Sequence, residues 1–435
     1  MPKNISFAAT ALVVAGLIGL LVVLQTDILT SNRLTPHKLY FADNISPAHQ
    51  VVIDRFNELH KGRIEVVAVN LPFEKFTTNE RKELLARSLR NKSDRIDVFA
   101  VDLIWGSRFS KWSEPLGRYF NKAELDDNLS YALESCYAES MLIAVPLYLD
   151  IGLMYYRRDL LQKLPHWQEV ETRLQHSMTW TDFIALRDKL EYRDKPFFAF
   201  PAKDYEGLLC NYFELFVGQT GKPLPRNTVD LTGPEAENAL RMMVDFVHRI
   251  GISPKEVANF DENESYDFML THDGMFWRGW PNFLESYGVS YPDKEKIRNI
   301  GRAALPHFEG KEPRSVFGGW NLMVSKYSAN KPEAIEFLKY LQSEATQKTF
   351  FDVGGYLPTN RKVYEDTTYM RVHQNLAFYR SLLDRGFHRP SLEEYTRISD
   401  IISNYFHLAI KGEISVKEAL ANAARQVRTA NVSSE

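Results

Sequence analysis

The chain has 435 residues, enough for two α/β domains of ordinary size, and its composition is that of a globular protein. The formal net charge is −3, and no run of Lys and Arg exceeds two residues. A nucleic-acid partner would require a basic stripe, so both observations argue against one.

The first predicted element is an apolar helix from Phe7 to Leu24, which contains no charged residue and follows Lys3. Its length suits a bilayer span, and the positive N-terminal flank places the rest of the chain outside the cytoplasm. No good cleavage site or lipid-bearing cysteine follows, so we predict an uncleaved anchor to the inner membrane. With this anchor, residues 1–37 would form the anchor and tether of a periplasmic protein. A cleaved signal peptide is the alternative.

The next segment, as far as Asp102, alternates between short apolar runs and helical spacing. Ser46 and Pro47 are typical of a helix start, and Gly62 is typical of a helix end. The predicted elements are a strand ending at Phe41, a helix after Pro47, a strand Ile64–Val69, a helix Glu80–Arg90 and a strand Ile96–Val101. This βαβαβ order predicts a parallel sheet with helices on both faces.

Ligands of such sheets bind where the carboxyl ends of the strands meet. Asp43, Asn44 and Asp102 occupy these positions in the predicted sheet. Each of them could instead cap a helix or order a loop, and for Asp43 this second interpretation is preferred because it lies next to the helix start. Asn44 and Asp102 are therefore candidate ligand-binding residues.

A single carboxylate, Asp150, separates two short apolar runs between Val145 and Leu161. An ionised group in such a stretch costs several kcal/mol unless a charged or hydrogen-bonding partner meets it. No basic residue lies within six positions, so the partner is expected from elsewhere in the fold or from a ligand. A simple turn between two strands is the alternative interpretation.

Helices and short strands continue to the C-terminus without a linker, so any lobes must share strands. The predicted elements are helix Thr179–Leu190, strand Phe197–Phe200, helices Tyr205–Val217 and Glu235–Ile250, strands Met275–Trp277, Ile300–Leu305 and Asn321–Ser325, helices Pro332–Leu341 and Glu344–Phe351, and a helical tail Leu392–Val427. The F-G-G-W sequence at Phe317–Trp320 is predicted to be a turn.

The common catalytic and cofactor motifs are missing from the sequence. It contains no P-loop, GxGxxG, HExxH, GxSxG or CxxC motif, so we predict neither a cofactor nor a metal centre. Five predicted turns combine aromatic and hydrogen-bonding side chains: Val101–Trp105, Leu147–Asp150, Leu209–Phe213, Trp277–Asn282 and Phe317–Asn321. A sugar packs its C–H face on an indole and exchanges hydrogen bonds with carboxylates and amides, so this combination favours a saccharide.

In this order, the segments resemble the family 1 extracellular solute-binding proteins of ABC sugar importers, particularly the trehalose/maltose-binding group. The resemblance extends from about Lys38 to Val427. Its most specific stretches are D-V-F-A-V-D-L-I-W, A-V-P-L-Y-L-D-I-G-L-M-Y-Y-R-R-D-L-L, Y-E-G-L-L-C-N, F-G-G-W-N-L-M-V-S-K-Y-S and G-G-Y-L-P-T.

The resemblance implies two α/β lobes joined by crossing strands, a hinge, and an inter-lobe cleft that closes on a sugar. The expected first lobe comprises residues 38–147 and about 300–352, and the second comprises 148–299 and about 353–429. The expected partners are a di- or oligosaccharide, the permease subunits of an ABC transporter and, through the N-terminal helix, the membrane. The binding lobes are expected to be monomeric.

The resemblance also assigns roles to individual residues. Asp102 and Asp150 would accept sugar hydroxyls, and Tyr148 would line the hinge side. Trp280 and Trp320 would stack on sugar rings, while Gly319 would let the backbone approach the ligand. Asn44, Asn211 and Arg389 match less closely and are weaker candidates.

Two departures from the family pattern limit these expectations. Asn282 occupies a position that is often aromatic, which leaves the identity of the sugar open. The lipobox cysteine is also missing, and the only two cysteines, Cys136 and Cys210, would lie in different lobes. We predict that both are unpaired, although an oxidising compartment permits a disulfide.

The leading hypothesis is therefore a non-catalytic sugar-binding protein that delivers its ligand to an importer. A membrane-tethered sugar sensor would use the same cleft and is the first alternative. A glycoside hydrolase using Asp102 and Asp150 is the less favoured alternative, since it requires two carboxyls flanking the scissile bond.

Overall fold

The computed structural model describes residues 36–72, 75–76, 78–226 and 228–432. The predicted anchor, Phe7–Leu24, lies outside these residues. Within the described ranges, no helix combines the length and the apolar character that a membrane crossing requires.

The first sheet begins with three parallel strands, β1 (His37–Asp43), β2 (Ile64–Asn70) and β3 (Val98–Asp102), in the order β2-β1-β3. The helices Pro47–Leu59 and Thr78–Arg90 connect them. The first of these helices starts as expected, since the Ser46 side chain accepts a hydrogen bond from the backbone of the first turn. The predicted βαβαβ unit is confirmed.

Two further strands complete the side of this sheet that faces the cleft. β6 (Val145–Ile151) and β11 (Ser315–Val324) are antiparallel to each other, and β11 also runs antiparallel to β3. The predicted turn at Phe317–Trp320 is wrong, because these residues lie inside β11. Gly319 has φ +124, and a Cβ at this position would overlap the Tyr148 carbonyl oxygen, so the glycine serves a close strand pairing instead of a turn.

The second sheet has four strands in the order β10-β7-β9-β8. They are β7 (Leu153–Arg157), β8 (Phe198–Ala199), β9 (Phe276–Gly279) and β10 (Ile300–Ala303). β10 pairs with β7, so the chain returns to the first sheet only at β11. The expectation that the first lobe resumes at about residue 300 therefore differs from the structure at this strand, which pairs locally before the chain crosses.

The remaining strands are short: β4 (Tyr137–Ala138) pairs with β5 (Met141–Leu142), and β12 (Gly386–Phe387) pairs with the start of β11. The other α-helices are Gly106–Phe109, Lys122–Asp126, Ser130–Glu134, Arg158–Leu161, Trp167–His176, Trp180–Lys189, Glu206–Thr220, Pro234–His248, Glu262–Thr271, Tyr287–Ser290, Lys294–Arg298, Lys331–Gln342, Glu344–Gly354, Arg361–Glu365, Thr367–Val372, Gln374–Leu383, Tyr395–Lys411 and Val416–Val432. The predicted C-terminal tail is thus two helices, divided at Gly412, where φ is +78.

Each sheet has its own hydrophobic core. Cys136 lies in the first core and Cys210 in the second, and both thiols are buried and unpaired, as predicted. The fold is therefore a two-lobed α/β architecture whose lobes are joined by strands that pass from one sheet to the other.

Candidate ligand-binding cleft

The lobes meet where β6 ends and β7 begins, with only Gly152 between the two strands. The Gly152 amide donates to the Val316 carbonyl at 3.1 Å, so the crossing chain is tied to β11. The last residues of β6 and the first half of β11 therefore form the floor between the two sheets.

Asp150 lies on this floor, directly opposite Gly318 of β11. Part of its side chain reaches the surface, but Oδ1 is buried and has no hydrogen-bond partner among the described residues. Burial and, to a smaller extent, the Asp102 charge raise the pKa of Asp150 to about 8, although the Arg278 charge opposes them. The carboxyl is thus largely protonated at neutral pH and has an unused oxygen.

Asp102, at the end of β3, is already engaged by the protein. Its Oδ1 accepts from the Ile104 amide at 3.1 Å and from Arg389 Nη2 at 3.2 Å. Arg389 is buried, and its Nη1 also donates to Glu206 Oε1 at 2.7 Å. Arg389 therefore connects the first sheet to the helix Glu206–Thr220 of the second lobe.

Trp280 follows β9 on the second-lobe side of the cleft and is partly exposed. The Arg278 guanidinium carbon lies 3.8 Å from the indole centroid, and indole Nε1 donates to Glu262 Oε1 at 3.0 Å. The six-membered edge of the ring lies over Gly318, where a Cβ would come within 2.9 Å of Cζ3. The indole is thus held on one face and at two edges beside Asp150.

Trp320 lies on the first-lobe side, on β11, paired with Asp102 and Tyr148 of the neighbouring strands. It is only 6% exposed and packs edge-to-face on Trp105 at 5.4 Å. The Arg81 guanidinium carbon lies 4.3 Å from its centroid. Trp320 is therefore part of the first core in this structure, and its predicted role as a sugar platform stays a prediction.

Tyr148 lies on β6 beside this tryptophan and is buried, with its ring 4.4 Å from Tyr356 and 6.3 Å from His49. Burial raises the pKa of Tyr148, and the charges of Tyr356 and Asp43 add to the shift. Tyr148 is therefore a neutral hydroxyl on β6, and its predicted role toward a ligand stays a prediction.

The three remaining candidates occupy different surroundings. Gly319 lies against the β6 backbone, next to Gly318. Asn44 follows β1, and its backbone N–H donates to Asp43 Oδ1 at 2.6 Å. Asn211 is buried inside a helix, where its amide group donates to the Pro201 and Gly207 carbonyls at 2.9 and 2.8 Å. The predicted helix Tyr205–Val217 therefore agrees with the structure, and the interpretation of Leu209–Phe213 as a turn is wrong. Asn211 has no amide hydrogen left for a ligand.

A family model described as bacterial extracellular solute-binding protein matches residues 41–348. This chain belongs to that family. The solute-binding protein is 27% identical, over 342 residues, to a probable ABC transporter-binding protein of Deinococcus radiodurans, and the match covers 75% of this chain and 78% of that protein. It is 21% identical over 384 residues to a mannitol-binding protein of Pseudomonas aeruginosa, covering 81% and 85% of the two chains.

Solved structures resemble this solute-binding protein over nearly all of its described length. Maltose-bound MalE3 of T. maritima superposes with a TM-score of 0.79 at 25% identity, covering 90% of this chain and 99% of that one. The GacH receptor of Streptomyces glaucescens has the same fold, with a TM-score of 0.76 at 20% identity and coverage of 91% and 98%. The predicted family and the two-lobed fold are confirmed.

Sequence reasoning missed several side chains that shape the cleft of this solute-binding protein. Arg81 belongs to a helix rich in charges, which reads as a solvated face, yet it is 2% exposed and donates to Asp43 Oδ1 at 3.1 Å. Arg278 lies within the segment Trp277–Asn282 but was not predicted to be a site residue. A single charged residue in an otherwise apolar strand is the signal that could have revealed it, by the argument made for Asp150.

Proposed function

We propose that this solute-binding protein captures a di- or oligosaccharide of glucose units between its lobes and delivers it to the permease subunits of an ABC importer. The observation that carries the proposal is the buried, unpartnered Oδ1 of Asp150 beside the indole of Trp280. A sugar ring supplies both missing partners, since its hydroxyls hydrogen-bond to a carboxyl and its C–H face packs on an indole.

The relatives support a saccharide ligand. The MalE3 structure is of the maltose-bound protein, and the GacH receptor was solved in complex with acarbose. Other neighbours hold D-mannitol or α-D-tagatose, so the fold accommodates a sugar alcohol and a monosaccharide as well as oligosaccharides. We favour glucose disaccharides because two indoles flank the floor of the cleft, one for each ring once Trp320 is uncovered.

The proposed binding residues are those that gather around the crossing of β6 and β11. They are Asp102, Tyr148, Asp150, Trp280, Gly319 and Trp320, with Arg389 acting through Asp102 and Asn44 at the edge. Asn211 is left out because its amide hydrogens are used inside the second lobe. We propose the predicted lobe limits with one change: β10 is assigned to the second lobe, because it pairs with β7.

Binding requires the lobes to separate and close again. Asn79 donates to Asp400 at 3.1 Å, and Arg108 donates to Thr396 at 3.0 Å, so the first lobe touches the helix Tyr395–Lys411 across the cleft. Arg81 also covers Trp320. We propose that these contacts break when a sugar enters and that hinge motion re-forms the lobe contacts around it.

The proposal includes no chemical step, and the protein would act outside the cytoplasm, in agreement with its family. The apolar run Phe7–Leu24 would hold it at the membrane close to the importer, which raises its effective concentration there. N-terminal sequencing of protein extracted from its native membrane checks the anchor. A mature N-terminus after Leu24 would contradict it.

A ligand screen tests the binding proposal directly. The full-length chain is heated with maltose, trehalose, maltotriose or mannitol, because a ligand that binds only the folded state raises Tm by mass action. At about a hundred times Kd the expected stabilisation is roughly 2.7 kcal/mol. A glucose disaccharide should give the largest shift and remain unchanged in thin-layer analysis. A flat panel would contradict the sugar assignment, and released glucose would favour the hydrolase.

A further inference from the structure

We propose that Arg278, locked in place by Glu214, is a positioning residue that sets the orientation of the Trp280 indole toward the ligand. This inference rests on the proposed function, because it gives Trp280 the role of a ring platform. Neither residue needs to touch the sugar.

The contacts of Arg278 define one face of the platform. Its guanidinium carbon lies 3.8 Å from the centroid of the Trp280 indole, within the range of a strong cation–π contact. Glu262 accepts from indole Nε1 at 3.0 Å, and Glu262 in turn accepts from the Tyr205 hydroxyl at 2.7 Å. One restraint acts on the ring face and the other on its edge, which leaves the opposite face for a ligand.

Glu214 fixes the guanidinium by a two-point interaction. Its Oε1 accepts from Arg278 Nη2 at 2.9 Å, and its Oε2 accepts from Nε at 3.3 Å. Both side chains are buried, with Arg278 only 1% exposed. Burial lowers the pKa of Arg278, but the charge and hydrogen bonding of Glu214, together with the contributions of other neighbouring groups, outweigh burial. The net effect is a raised pKa, so the arginine stays charged.

Glu214 is itself held by the strands that join the lobes. The Val316 amide of β11 donates to Oε1 at 3.3 Å. A Cβ at Gly152, between β6 and β7, would overlap the same oxygen. The carboxylate therefore fits between the two crossing strands. Glu214 and Arg278 thus link the orientation of Trp280 to the strands that join the lobes.

A buried ion pair is a poor way to stabilise a core, because desolvation costs as much as the attraction returns and apolar side chains of similar volume often do as well. A planar guanidinium fork, in contrast, fixes direction. The position of this pair directly behind the partly exposed indole therefore points to orientation as its role.

A double-mutant cycle on maltose affinity tests the proposal. Arg278→Met keeps the length of the side chain and removes its charge and planarity, and it should weaken maltose binding about tenfold. In the Trp280→Ala background the same substitution should change affinity less than about twofold, since a positioning residue acts only through the indole. Arg157→Met, which removes another buried arginine of the second lobe, is the matched control and should leave affinity unchanged.

Equal losses in both backgrounds would overturn the proposal and assign Arg278 a direct or general role. If Arg278→Met does not fold, Glu214→Gln replaces it in the cycle, because it loosens the guanidinium while retaining it. Unaltered affinity in a folded Arg278→Met or Glu214→Gln protein would likewise overturn it.

A second readout needs no sugar and separates this inference from the proposed function. The Trp280 indole N–H resonance is assigned by its loss in Trp280→Phe. It should shift or broaden in Arg278→Met and stay in place in Arg157→Met. An unmoved resonance in Arg278→Met would overturn the positioning role, whereas maltose failing to bind the wild-type protein would overturn only the sugar assignment.

Discussion

The two tryptophans that flank the cleft have similar neighbours but different supports. Trp280 is partly exposed, and its arginine comes from two residues earlier in the same segment and is clamped by a buried carboxylate. Trp320 is buried on β11, and its arginine comes from the distant helix Thr78–Arg90. Under the proposed function, the first indole would be preset for contact with a ligand, while the second would have to be uncovered by movement of another element.

The largest expected effect concerns how much each of the two tryptophans contributes to the stability of the ligand-free protein. Because Trp320 is buried against Trp105, Trp320→Ala should lower the free energy of unfolding by about 3 to 5 kcal/mol. A tryptophan that served only as a sugar platform would instead leave the ligand-free protein nearly as stable after its replacement. Urea titration of the ligand-free protein measures it, with the half-buried Trp112→Ala as control. A loss below about 1 kcal/mol would contradict the core role of Trp320.

Asp150, which lies between the two indoles, should make stability depend on pH. Its pKa of about 8 in the folded protein exceeds the unfolded value, so the folded state binds more protons between about pH 4 and 8. Stability contributed by this group should therefore fall as pH rises through that range, by at most about 1.4 kcal/mol per unit, and level off above it. Asp150→Asn should flatten this part of the profile in denaturant titrations at successive pH values. Parallel wild-type and variant profiles would contradict the shift.

The exposed indole should matter for affinity more than for folding. Trp280→Ala removes the ring face while leaving both cores intact, so maltose should bind at least about tenfold more weakly, a change of about 1.4 kcal/mol. Tm of the ligand-free protein should fall only slightly. Calorimetry measures the maltose affinity of the variant, and thermal melts measure its Tm. A large drop in Tm with unchanged affinity per folded molecule would place Trp280 with the core residues.

The smallest effect is expected at the surface contact that joins the two sides of the cleft. Asp400→Asn removes a half-exposed charge that contacts Asn79 and Lys82 of the first lobe. Such exposed contacts contribute little, so maltose affinity should weaken by less than about threefold. Asp384→Asn, which disturbs a pair with Arg380 at the C-terminal end of the helix Gln374–Leu383, is the control and should have no effect on calorimetric affinity. If Asp400→Asn weakened maltose binding more than Trp280→Ala, the surface contact would matter more for affinity than the exposed indole, contrary to this expectation.

Much of the fold could be predicted because its signals are local. The spacing of apolar residues and the Ser46-Pro47 helix start are features of short segments, and they led to the parallel unit and to candidate residues at its strand ends. The lone carboxylate at Asp150 was informative for the same reason.

The rest depends on contacts between residues far apart in the chain. Arg81 with Asp43, Arg389 with Asp102 and Glu214 with Arg278 are separated by tens to hundreds of residues, and no local pattern pairs them. The Gly318-Gly319 pair was misread because glycines favour turns, whereas here they let β6 and the Trp280 ring approach β11.

The burial of both thiols has a practical consequence for measuring ligand capture. Burial raises the pKa of Cys136 and raises that of Cys210 to about 12, so little thiolate is present at neutral pH and neither sulfur is accessible to a dye. A single cysteine introduced on the surface would then be the one site of labelling. An environment-sensitive fluorophore attached there, near the mouth of the cleft, would convert the full-length protein into a reagentless optical sensor without removal of either native cysteine.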